Sequence, residues 1–131
     1  MPIEVIRDER RRWLLTRASG ILGFDETATF LTTVRDPIDF RMWPLLFDAR
    51  SCSTEMTDAD VDRAVMIVSE TAQRQRRGHV AIVADDDQLY RWLLLYETKV
   101  AAAGVRMIRV FHRLPDAERW LDIVSAAREL M

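Results

Sequence analysis

Three short apolar runs, at residues 44–49 (Pro-Leu-Leu-Phe-Asp-Ala), 79–84 (His-Val-Ala-Ile-Val-Ala) and 106–111 (Arg-Met-Ile-Arg-Val-Phe), are separated by stretches in which apolar residues recur at helical spacing. This alternation constrains the fold more than any other feature. The first two runs are apolar without a polar-out, apolar-in rhythm, as expected of strands covered on both faces, which parallel sheets flanked by helices provide. Parallel neighbours need long crossovers, and the intervening segments are long enough to supply them as helices.

Each intervening segment carries its own start and stop signals. Thr57 followed by Asp60 has the form of a capping box, opening a helix whose apolar stripe is Val61, Ala64, Val65, Val68 and Ala72, and Arg76, Arg77 and Gly78 close it. The next helix is expected over 88–103, after the three aspartates Asp85, Asp86 and Asp87, and ends at Gly104. A last helix opens at Leu114-Pro115-Asp116 with Ala117, Trp120, Leu121, Val124 and Leu130 as its buried stripe. Ahead of these lie two strands, 3–8 and 13–18, joined by a polar turn with arginines at 10, 11 and 12. A helix then follows with Asp25 as its cap and Phe24, Ala28, Leu31 and Val34 as its stripe. It should end by Arg35, because Pro37 disfavours helix at the residue before it, leaving 36–43 irregular. The order is ββαβαβαβα. It predicts one α/β domain over 1–131, with a mixed five-stranded sheet, its first strand antiparallel and the rest parallel, packed with about four helices.

Composition narrows the function classes. The 131 residues carry 19 basic and 21 acidic side chains, a net of -2, and all the basic residues except Lys99 are arginine. Such a balance gives no field to gather nucleic acid or an anionic membrane, so no nucleic-acid partner and no stable membrane association are expected. Cys52 is the only cysteine, which rules out an internal disulfide and a thiolate metal cluster and fits a reducing, cytoplasmic setting. The opening residues have no apolar signal core, and no stretch approaches the ~18 apolar residues of a membrane span. Phosphate-loop, dinucleotide, nucleophile-elbow and zincin motifs are all missing.

The order of elements, with Phe47-Asp48-Ala49 closing the third strand, Val80-Ala81-Ile82-Val83 in the fourth and Val110-Phe111 to Trp120-Leu121 at the end, resembles the SpoIIAA-like family of STAS and SEC14-type domains. The resemblance covers nearly the whole chain and implies a bacterial regulatory module that works by binding another protein. In the anti-sigma-factor antagonists of that family a serine at the start of the helix after the third strand is phosphorylated. Here the acid-serine-serine-glycine signature is absent, and an ungapped count puts Asp58 where that serine would fall. The phosphoswitch is therefore not carried over, although Ser51, Ser53 and Thr57 are candidate acceptors. The SEC14 side of the resemblance implies a small-molecule or lipid site, which a chain of this length has little room for.

In a parallel sheet, ligands gather beyond the carboxyl ends of the strands. The loop there should hold Arg50, Ser51, Cys52, Ser53 and Thr57, facing Asp85, Asp86, Asp87 and His112. One reading makes Cys52 and His112 a thiol-dependent enzyme pair; the other makes Cys52 a core filler, the aspartates helix caps and His112 a surface residue. The second is preferred, with no catalytic residue, no metal and no cofactor assigned. Residues 89–96 (Leu-Tyr-Arg-Trp-Leu-Leu-Leu-Tyr) carry more apolar bulk than one helix face can bury, so Tyr90, Leu94 and Leu95 are the candidate interface for a protein partner or a homodimer.

Overall fold

The computed structural model describes residues 3–33, 42–74 and 78–129, without the side chains of 30–33, 74, 128 and 129. The expectations for Val34, Arg35, the segment 36–41, Arg76, Arg77 and Leu130, and for the side chain of Leu31, lie outside what is described. The chain folds as β1 (Ile3–Asp8), β2 (Trp13–Leu22), α1 (Phe24–Thr33), β3 (Leu45–Thr54), α2 (Asp58–Arg74), β4 (Val80–Val83), α3 (Asp87–Ala102), β5 (Ile108–Phe111) and α4 (Leu114–Glu129). The five strands form one mixed sheet in the order β1-β2-β3-β4-β5, with β1 antiparallel to β2 and every other pair parallel. This is the α/β architecture that the order of apolar runs predicts.

Because each crossover moves one strand further in the same direction, right-handed connections place successive helices on the same face. Leu14, Leu45, Phe47, Ile82, Ile108 and Val110 accordingly pack in one core cluster with residues of α1, α2 and α3. The alternate residues of the same strands, Trp13, Leu46, Ala81 and Val83, meet Ala117 and Leu121 of α4 on the other face. Three helices cover one side and one covers the other. Near β1 and β2 the α4 side is thinly covered, leaving Ile6 at 43 % and Ile21 at 54 % exposure.

Local chemistry explains where the elements begin. In the turn between β1 and β2, Asp8 accepts hydrogen bonds from the Arg11 backbone N–H at 3.0 Å and from Arg11 Nε at 2.7 Å, and the Arg11 guanidinium lies over the Trp13 ring. Arg11 is thus committed to the turn. The capping box at α2 forms as read: Asp60 N–H donates to Thr57 Oγ1 and Thr57 N–H donates to Asp60 Oδ2 at 2.9 Å. At α1 the helix starts one residue before the expected cap, with the Gly23 carbonyl accepting from the Thr27 N–H. Asp25 instead sits in the first turn, where its charge suits the helix dipole.

The largest departure from the sequence reading is at β2 and β3, both of which run several residues further than the expected 13–18 and 44–49. A one-residue bulge in β3 hides the continuation: pairing steps from Arg17–Asp48 to Ser19–Ser51. Core-facing residues are Leu45, Phe47 and Ala49 before it, but Cys52 and Thr54 after it. The parity switches, and the continuous apolar run that marks the strand in the sequence ends at Ala49. Asp48 fixes the bulge by accepting from the Arg50 N–H at 3.1 Å while pairing with the Arg50 guanidinium through two further bonds of 2.9 Å. Thr54 ends the strand by donating its hydroxyl to Leu22 O and accepting from Met56 N–H.

Candidate functional site

The carboxyl edge of the parallel strands brings together the tail of β3, the segment after β4 and the turn after β5. Arg50, Ser51, Cys52 and Ser53, expected in a loop, are strand residues; Arg50 lies in the bulge, and Ser51, Cys52 and Ser53 pair with β2 because the ladder continues beyond it. Ser51 and Ser53 are exposed opposite Ser19 and Ile21, while Cys52 turns into the three-helix core at 4 % exposure. Burial, helped by the negative charge of Asp48, pushes the Cys52 thiol up to about 11. At neutral pH it is a protonated core group and a poor nucleophile.

His112 is held at a different point. Its Nδ1 lies 3.2 Å from Ala84 O, a contact that requires the proton on Nδ1, and its ring stacks on Tyr90 with centroids 3.4 Å apart and an interplanar angle of 19°. Among the described residues no hydrogen bond joins Cys52 to His112. The imidazole is a bracket between the end of β4 and the first turn of α3. Asp86 is the N-cap of α3, its side chain accepting from the Leu89 N–H at 2.9 Å. Asp85 and Asp87 are exposed beside it. Among the described residues no group of three or more His, Cys, Asp or Glu is placed to hold a metal ion.

Asp48 is the best-connected carboxylate of this region. Its bonds to Arg50 hold it below the usual aspartate range, with Arg17 adding attraction from 3.8 Å. It lies on the wall of a groove of about 190 Å³ between the hairpin and α4, lined among others by Ile6, Arg11, Leu15, Arg50 and Glu118. Arg11 bridges to Glu118 across it at 3.5 Å. Its guanidinium and carboxylate groups thus compensate one another locally.

The apolar surplus of α3 is largely absorbed by the fold. Leu89, Trp92, Leu93, Tyr96 and Val100 are buried, and Tyr90 and Leu95 are half-buried against the same core. Of the three candidate interface residues only Leu94 is exposed, at 37 %. The surface that the sequence reading missed is on the hairpin: Val5 (47 % exposed), Ile6 and Ile21. The signal was present in β1, where adjacent Val5 and Ile6 break the alternation a half-buried strand should keep.

Between the sheet and the three-helix layer lies an apolar cavity of about 90 Å³, walled by residues including Phe47, Ala64, Ile82, Trp92, Tyr96 and Ile108. Two threonines that line it already donate their hydroxyls to backbone carbonyls, Thr27 to Gly23 O and Thr71 to Ile67 O. Trp92 donates its Nε1–H to Thr57 O at 3.0 Å, whereas the Tyr96 hydroxyl is buried with no partner among the described residues, and burial pushes its pKa upward.

Among the described residues no helix is long and apolar enough to cross a membrane. No known family model matches the chain, and no curated protein matches it.

Proposed function

We propose that the chain is a SpoIIAA-like, STAS-type domain that serves as a non-catalytic regulatory or protein-interaction module in the bacterial cytoplasm. The observation that carries this reading is how the reactive residue types at the strand-end edge are employed. Cys52 is a neutral core filler, Asp86 a helix cap and His112 a stacked bracket, leaving no activated nucleophile among them. Asp58, the first residue of α2, puts a fixed negative charge at that helix start, where the family's switchable serine would fall. The partner surface is the edge carrying Arg50, Ser51 and Ser53 together with the exposed Leu94.

A second reading, a small-molecule binding domain, is favoured by the 90 Å³ cavity. That volume is below the ~150 Å³ of an apolar cavity known to take up benzene, so it suits a compact apolar molecule and not a two-chain lipid. Native mass spectrometry of the chain captured from its own host tests both. A stoichiometric second protein, lost from a folded Leu94→Asp variant, supports the module. A chain that carries only a small apolar adduct supports the second reading and overturns the first.

A further inference from the structure

The two edges of the sheet are finished differently. At one edge, β5 is short, and the Glu97 carboxylate of α3 accepts from the Val110 N–H at 3.3 Å, so a side chain occupies part of its backbone. At the other edge, β1 spans Ile3–Asp8, is hydrogen-bonded to β2 alone, and has no described strand on its outer side. In an antiparallel pair half of the edge strand's amides and carbonyls point away from the partner, a ready template for another strand.

The side chains of β1 say how such a strand would arrive. Val5 is paired with Thr16 and Ile6 with Leu15, so the two adjacent residues lie on opposite faces of the sheet, and they are 47 % and 43 % exposed. A helix docked on one face would cover one of them and leave the other wet. A strand added edge-on contacts both. We infer that β1 is a self-association edge, pairing antiparallel with β1 of a second copy about a two-fold axis to give one continuous ten-stranded sheet.

Charge selects the register. A two-fold axis normal to the sheet keeps each face continuous, so a residue can pair only with one of its own parity. Centring the axis on Glu4 sets Glu4 against Glu4, and centring it on Ile6 sets Glu4 against Asp8; like charges directly opposite destabilise a sheet. Centring on Val5 sets Val5 against Val5, Glu4 against Ile6 and Ile3 against Arg7, with no like charges directly opposite. In that register the exposed Val5 side chains of the two copies meet on one face, and on the other each Ile6 lies along the aliphatic stem of the other copy's Glu4. This inference deepens the module reading by naming one partner, a second copy. A chain that dimerises through β1 yet captures no other protein keeps the inference and loses the partner surface at Leu94.

The interface is small by the standards of stable dimers, so association belongs in the micromolar range. Sedimentation velocity from about 5 to about 500 µM should show monomer converting to dimer. Val5→Lys should stay monomeric throughout with an unchanged far-UV spectrum and melting temperature, its site being half exposed. The register is read by crosslinking: opposed β-carbons across a pair are about 4.5–5.5 Å apart, whereas Ile3 and its copy would be offset by at least about 13 Å. A short bis-maleimide should therefore link Val5→Cys chains and not Ile3→Cys chains, and the native Cys52, being buried, stays out of the reaction. A wild-type chain that remains monomeric over this range, a Val5→Lys chain that dimerises equally, or equal crosslinking at the two positions would each overturn the inference.

Discussion

A thiol at the carboxyl end of a parallel strand invites a catalytic reading, and what decides against it here is which way one side chain turns. Cys52 alternates with Ser51 and Ser53 along the tail of β3, and it is the member that enters the core. Removal from water favours its neutral form, so its pKa rises from 9.0 to about 11. The unfolded chain then loses the proton before the folded one does. This contribution to stability is complete below about pH 9 and is lost as pH rises through about 11. The urea midpoint of the wild type should fall across that window more steeply than that of Cys52→Ala. At neutral pH iodoacetamide should label the urea-unfolded chain and leave the folded chain nearly untouched; rapid labelling of the folded chain would restore a thiolate role.

At the scale of elements, ends are better determined than lengths. After α3, Ala103 is the C-cap and Gly104 takes φ +95°, the Val105 N–H donates to Val100 O at 2.8 Å and the Gly104 N–H to Ala101 O at 3.0 Å. This is a Schellman stop, and buried Val100 and Val105 supply its apolar contact. A Cβ at Gly104 meets no atom within 4 Å, so the cost of Gly104→Ala is backbone strain alone, about 1 kcal/mol, measurable by urea denaturation. That stop was legible from the sequence, as was the Thr57–Asp60 box, because each is written in residues within one turn of each other. The extension of β3 was not. Its cause is a parity switch whose reason, Asp48 folding back on Arg50, involves a side chain bonding to backbone inside a strand. Likewise Tyr90 and His112 are too far apart in sequence for any local pattern to announce their stacking. The candidate site was therefore legible as a set of residues sharing an edge, and illegible as an arrangement.

Across the whole molecule, coverage is uneven both along and across the sheet. The first half of β3, Leu45 to Asp48, is paired with β2 on one side and β4 on the other, whereas among the described residues 51–54 pair with β2 alone. Hydrogen exchange should find the slowest amides in that first half and in β4, opening only with global unfolding, while 51–54 exchange earlier through local opening. Equal protection along β3 would mean that the edge beyond the bulge is sealed by something other than β2.

The uneven coverage also has an order in time. The three-helix face is assembled from α1, α2 and α3, each of which lies between strands it covers. Trp13, Leu46, Ala81 and Val83, by contrast, wait for α4, which leaves the ribosome after every strand has been made. During synthesis the nascent sheet therefore passes through a stage with one finished side and one bare apolar side. That is the stage at which a chaperone has most to bind.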